Sequence, residues 1–256
     1  MLETDLKLLE NAALAAGEIA RSYWREDPQV WDKGGDDPVS EADFAVDKHL
    51  QKTLLAARPD YGWVSEETED NAERLNAERV FIVDPIDGTR SFVAGERTWA
   101  HSLAVVVGGK VTAACVYLPV REKMYLAEVG GGATLNGKNL VASAVTDILG
   151  AKVLSPKVSF KPEFWVDGPP PVARHFRPSL AYRMALVGEG RFDAMLTLRP
   201  AWEWDIAAGA LIAAEAGARA TDRHGQTLVF NSPSRQTAGV VAGGVGLHGA
   251  LLNRLA

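Results

Sequence analysis

One cysteine, Cys115, is all this chain offers for thiol chemistry. A lone thiol excludes an intramolecular disulfide and suits a reducing cytoplasm, where the chain is expected to reside. Cys115 lies between Ala114 and Val116 in an apolar run. Nothing near it in sequence would lower its pKa, so it is a poor nucleophile. Long hydrophobic runs are also missing; none approaches the ~20 residues of a membrane span. The opening segment, MLETDLKLLENAALAAGEIARSYW, carries acids from position 3 and has no basic region before a solid apolar block. It reads as a helix, not a signal peptide. Positive charge is short, with a net charge of −6, which argues against a nucleic-acid polymer as partner. Histidines 49, 101, 175, 224 and 248 are scattered, and without His or Cys pairs they read as surface or structural residues. The chain has no repeats and no low-complexity linker.

Apolar residues make up 47% of 256, enough core for one large domain or two modest ones sharing an interface. Helical spacing predicts a helix over 3–24. A turn-rich loop at 32–39 follows, then a helix over about 40–57 opened by Ser40 and ended by Pro59. Short strands are expected at YGWVSEE, RVFIV, SLAVVV, KVTAACVYL and KMYLAEV, with Gly108-Gly109 in a turn. Asn136-Gly137 predicts a type I′ hairpin. The region 1–148 therefore reads as an α+β unit of two helices on an antiparallel sheet. The region 149–256 alternates strands (AKVLS, FDAMLTL, ARATD, TLVF, GVVAG) with helices (PSLAYRMALVGEG, DIAAGALIAAEAG, LHGALLNRLA), the pattern of an α/β unit. The proline-rich stretch within 161–178 is expected to be a surface loop.

Five acids sit where elements begin or end: Asp43, Glu66, Asp84, Asp87 and Asp205. Each has a structural reading. Asp43 follows Ser40 by three residues, as in a capping box. Glu66 and Glu67 could be solvated loop charges, Asp84 and Asp87 turn formers, and Asp205 an N-cap. Together they point elsewhere. Glu66 and Asp84 end buried-looking strands, and carboxylates converging in a cleft repel unless cations neutralise them. An oxygen-only donor set favours Mg²⁺ or Ca²⁺ over zinc. If GTRSFVA opens a helix, the amides of Gly88 and Thr89 face an anion, with phosphate the usual one. Carboxylate-bound metal beside a phosphate cradle suits hydrolysis of a phosphate ester.

These residues resemble the inositol monophosphatase superfamily of Mg²⁺-dependent, lithium-sensitive phosphatases. VSEE, VDPIDGT and WDIAAG are similar to its three signature motifs, and DPVSEAD resembles an upstream segment. The resemblance implies a layered αβαβα sandwich, usually dimeric. It implies that Glu66, Asp84 and the Ile86 carbonyl hold one metal and that Asp84, Asp87 and Asp205 hold a second, with a weaker third near Glu66. Gly88 and Thr89 would take the phosphate, while Thr89 and Asp43, with Glu66, would activate water. For substrate, Lys33 ahead of GGDDPV and the LVGEGRFDAMLTLRPAWEWD segment resemble the 3′(2′),5′-bisphosphate nucleotidase branch. Inositol monophosphate is the next candidate. DGTRSF resembles histidinol-phosphate phosphatases, and RPSLAYR lacks the glycine-serine pair expected before the substrate-side helix. Arg183 either meets a second phosphate or lies on a solvated helix face. A non-catalytic, metal-dependent regulatory protein is the reading from another class.

Overall fold

The computed structural model describes residues 3–35 and 38–256; Asp36 and Asp37, in the loop expected at 32–39, lie outside them. Helix α1 (Asp5–Tyr23) starts at Thr4, whose hydroxyl accepts the Lys7 amide. A small hairpin, β1 (Val30–Asp32) with β2 (Pro38–Ser40), leads into α2 (Glu41–Ala57). Both helices bury one stripe, including Leu8, Leu9, Ala12, Ala16, Val46, Leu50 and Leu54.

That stripe covers one face of a seven-stranded sheet. Its strands, in spatial and chain order, are β3 (Gly62–Ser65), β4 (Arg79–Asp87), β5 (Ala100–Val107), β6 (Lys110–Leu118), β7 (Lys123–Glu128), β8 (Gly132–Leu135) and β9 (Lys138–Asn139). One short helix, α3 (Thr89–Val93), follows β4. The sheet is not wholly antiparallel as expected: β3 runs parallel to β4. The link between them carries a 3₁₀ turn at Ala72–Asn76 and crosses over rather than reversing as a hairpin. Asn136 and Gly137 both take positive φ, 49° and 77°, as the type I′ turn requires.

The second half builds a five-stranded mixed sheet from β10 (Lys152–Leu154), β11 (Ala173–His175), β12 (Ala194–Thr197), β14 (Ala218–Thr221) and β16 (Val240–Gly244), in the order β11-β10-β12-β16-β14. Helices α4 (Leu180–Gly188) and α5 (Glu203–Glu215) lie between the two sheets, and α6 (Val245–Leu252) covers the outer face. The result is an αβαβα sandwich. Helix α5 is apolar all round because both its faces are covered. A Cβ on Gly209 would stand 2.6 Å from Met184 Cβ, so glycine sets the α4–α5 spacing.

Two sequence expectations fail here. TLVF (227–230) forms no ladder; it makes an isolated bridge, Thr221 to Thr227. The chain then turns away because the Glu203 carboxylate accepts the Asn231 and Ser232 amides. The ladder instead forms between β13 (Ala201–Trp202) and β15 (Gln236–Thr237). The 161–178 segment is only partly a surface loop. Trp165 is buried, with its indole N–H on the Ser159 carbonyl, and β11 extends the sheet edge.

Candidate active site

The site is built around a break in register. Along β4 each residue faces one on β5 as far as Asp84 opposite Ser102; the next pair is Asp87 opposite Ala100. Pro85 and Ile86 therefore bulge opposite the single residue His101. Proline contributes no N–H, so its loss from the ladder costs no donor. The bulge re-aims two carboxylates that a regular strand would point to opposite faces. Gly88 then turns the chain at φ 99° into α3. A Cβ there would meet the Thr98 carbonyl at 3.2 Å in a backbone region that side chains avoid.

Three carboxylates converge. One oxygen each from Asp84, Asp87 and Asp205 lies within 4.8 Å of the others. Like charges at that separation repel by roughly 3–4 kcal/mol per pair at an effective dielectric near 20. Burial first, then Glu66, Asp87 and Asp205, push the Asp84 pKa well above the ordinary range. Asp205 is pushed up by burial, Asp87 and Glu66. Asp205 is not an N-cap: Trp202 holds that position, and Asp205 sits in the first turn of α5.

Asp84 and Asp87 are treated differently. Asp87 accepts the Ser179 hydroxyl at 2.6 Å and the Leu180 and Ala181 amides at 3.1 and 2.6 Å. Burial lifts its pKa and these donors partly restore it, leaving it near 6. Asp84 Oδ1 is buried without a hydrogen-bond partner among the described residues. An acceptor left bare in this way fits a cation, and an all-oxygen cluster fits Mg²⁺.

Asp43 fulfils both readings at once by dividing its oxygens. Oδ2 accepts the Ser40 amide at 2.8 Å and hydroxyl at 2.5 Å, closing the capping box. Oδ1 accepts the Thr89 hydroxyl at 3.1 Å, which also lies 3.1 Å from the Ile86 carbonyl. Burial raises Asp43 to about 6 despite these donors.

Glu66 stands apart from the trio. Lys33 Nζ bridges Glu66 Oε1 at 2.7 Å and Glu67 Oε1 at 2.8 Å. The two glutamate side chains are 20% and 3% exposed, so they are not solvated loop charges. Burial opposes charge on Lys33, but Glu66 and Glu67 outweigh it and raise its pKa.

A cavity of about 600 Å³ opens over the acids. Its lining includes Gly88, Thr89, Arg183, Phe176, Trp202 and Trp204. Arg183 does not lie on a solvated face; it is 7% exposed. Its Nε donates to the Arg177 carbonyl and Nη2 to the Pro178 carbonyl, and its guanidinium lies 4.7 Å from the Phe176 ring centre. Trp202 stacks on Trp204 at 4.6 Å and 8°. Arg90 is exposed at the cavity rim.

Sequence reasoning missed four residues. Ser179 keeps a serine at the start of α4 where a glycine-serine pair was expected, and its Pro-Ser step was a readable cap signal. Phe176 lay in the segment dismissed as surface, and Trp202 carried no local signal. His101 was grouped with scattered histidines, yet it is fully buried beneath the bulge.

Known proteins similar to this chain are numerous. An inositol-1-monophosphatase of Rhizobium meliloti (strain 1021) is 33% identical over 240 residues, covering 86% of each chain. A histidinol-phosphatase of Chlorobaculum parvum is 30% identical over 242 residues, covering 89% of each. The solved extragenic suppressor protein suhB from Bartonella henselae superposes with a TM-score of 0.82, at 28% identity over 96% of each chain. The model of the inositol monophosphatase family matches residues 1–255, and the chain belongs to that family of phosphatases.

Proposed function

We propose that the protein is a Mg²⁺-dependent phosphomonoesterase whose preferred substrate is a 3′(2′),5′-bisphosphate nucleotide. The observation that carries the phosphatase reading is the bare, buried Asp84 Oδ1 inside a trio of carboxylates. Asp84, Asp87, Asp205, Glu66 and the Ile86 carbonyl would hold two to three ions. Bound Mg²⁺ supplies charge neutralisation and a polarised water. The chain's own residues do the rest. The Gly88 and Thr89 amides, at the cap and first position of α3 and without intrahelical acceptors, receive the phosphate. Asp43, fixed by Ser40, accepts the Thr89 proton, and Thr89 Oγ1 accepts one from the attacking water. Burial, which makes the Asp43 carboxylate more basic than an ordinary one, suits that task. Glu66 completes the water's surroundings.

The cavity wall supports the substrate class. Arg183 offers a buried guanidinium for a second anion, and Phe176 and Trp202 offer flat surfaces for a ring. Inositol 1-phosphate has neither a second phosphate nor a flat aromatic ring, and histidinol phosphate carries a cationic amine that Arg183 would repel. The test is phosphate release at one Mg²⁺ concentration from adenosine 3′,5′-bisphosphate, inositol 1-phosphate and histidinol phosphate. A ~100-fold preference for either of the latter two overturns the nucleotidase reading, and no Mg²⁺-dependent release from any of them favours the regulatory-protein reading. A homodimer in the cytoplasm, by likeness to the family, completes the proposal; light scattering at monomer mass would reject the dimer.

A further inference from the structure

We propose that His101 is a positioning residue: its imidazole holds the Pro85 carbonyl and thereby turns the Ile86 carbonyl toward the metal site. The inference rests on the metal reading above and concerns a residue that touches neither substrate nor ion.

The geometry starts at the register slip. His101 is the one β5 residue facing both Pro85 and Ile86, so the ladder cannot satisfy both bulge carbonyls. His101 Nδ1 lies in hydrogen-bonding contact with the Pro85 carbonyl oxygen. A carbonyl only accepts, so Nδ1 carries the proton. The next carbonyl oxygen, of Ile86, faces Thr89 Oγ1 at 3.1 Å, on the cavity side. Successive carbonyls of an extended chain diverge, so pinning the first toward the core commits the second to the site.

The ring cannot swing away. It is fully buried, with Trp99 edge-on at 5.7 Å and Tyr117 at 6.3 Å. Burial also lowers the His101 pKa to about 4, so one ring nitrogen remains bare. That nitrogen, Nε2, has no partner among the described residues. An unpartnered nitrogen in a core of Phe92, Trp99 and Leu103 costs free energy that a valine or leucine would not. A histidine in this slot is therefore poorly explained by packing and well explained by the carbonyl it serves.

The test is calorimetric titration of Mg²⁺ into the metal-free protein. His101→Phe fills the slot without a donor and should lose tenfold or more in Mg²⁺ affinity. His101→Asn places an amide N–H₂ near the position of Nδ1 and should stay within about threefold of wild type. Both variants lose packing, so a purely structural role would lower both melting temperatures and leave affinities alike. Equal affinities for His101→Phe and wild type, or equal losses in the two variants, overturn the proposal. A wild-type protein that binds no Mg²⁺ overturns the metal reading itself, a distinct result. Should His101→Phe fail to fold, ¹⁵N NMR of the wild-type imidazole decides: a proton on Nδ1 supports the proposal, and one on Nε2 overturns it.

Discussion

The floor and the wall of the cavity follow different rules. The floor is acidic and comes mostly from the end of one strand: Asp84, Ile86 and Asp87 lie on β4, with Asp205 added from α5. Its groups repel, and the fold accepts that cost to keep them together. The wall is basic and aromatic, and comes from the second half: Phe176, Arg183 and Trp202. Its groups support one another, with Arg183 anchored on two carbonyls beneath Phe176 and Trp202 stacked on Trp204. A frustrated floor is the mark of chemistry that needs a counterion; a settled wall is the mark of recognition. Changes in the floor should therefore act on turnover, and changes in the wall on selectivity.

Asp84→Asn should break the comparison most sharply. It removes the charge at the centre of the trio while keeping the shape. Phosphate release should fall at least ~10³-fold, with Mg²⁺ affinity lost in calorimetry, because electrostatic alignment carries most of phosphoryl transfer. The metal-free variant should melt higher than wild type, since a buried repulsive charge is gone. Full activity in this variant would show that the acidic floor is not the metal site.

Asp43→Asn comes next, with kcat down ~10²-fold through loss of the proton acceptor. Its stability signature has a definite sign. The folded pKa, about 6, lies above the ordinary 3.8, so the folded state binds the extra proton in that window. Stability from this group therefore falls as pH rises from about 4 to 6, by about 3 kcal/mol in all. Asp87, also near 6, acts in the same direction. Metal-free Asp43→Asn should show a flatter melting-temperature profile between pH 4 and 7. An identical profile would place the buried charge elsewhere.

The contrast between floor and wall also explains what the sequence revealed. Floor residues announce themselves because their constraint is local: VFIVDPIDGT must be a buried strand, a bulge and a glycine turn within ten residues, and few other sequences do that. Asp43 was legible for the same reason, through Ser40 three residues earlier. Strand and helix periods likewise located nearly every major element. The wall depends on pairings distant in sequence. Phe176 reaches the cavity because β11 pairs with β10, and Trp202 does so because β13 finds β15; neither pairing leaves a local trace. TLVF shows the converse error, an apolar run that meets the edge strand β14 at one bridge before Glu203 draws the chain away.

Arg183→Met tests the wall. It keeps most of the stem's packing beside Phe176 and deletes the charge. KM for adenosine 3′,5′-bisphosphate should rise ~10–50-fold with kcat within threefold, while inositol 1-phosphate should be hydrolysed no worse than before. A fall in kcat of equal size for both esters would assign Arg183 to the floor's chemistry and dissolve the distinction.

Trp202→Leu should have the smallest effect. Trp202 is 38% exposed, and its partner Trp204 is nearly buried, so removing the outer ring leaves the inner one in the core and costs the fold little. What is lost is one stacking surface, worth ~1–3 kcal/mol per base in single-strand binding and less here because the phosphate contacts remain. A 3–10-fold rise in KM for the nucleotide is expected, with inositol 1-phosphate unaffected and Mg²⁺ affinity unchanged. Because Arg235 lies 5.8 Å from both ring centres, the substitution also removes a cation–π partner. Trp202→Phe, which keeps a flat ring, should recover most of the nucleotide KM if stacking is the cause. Recovery by Leu and Phe alike would mean that Trp202 only fills space, and the selectivity of the wall would then rest on Arg183 alone.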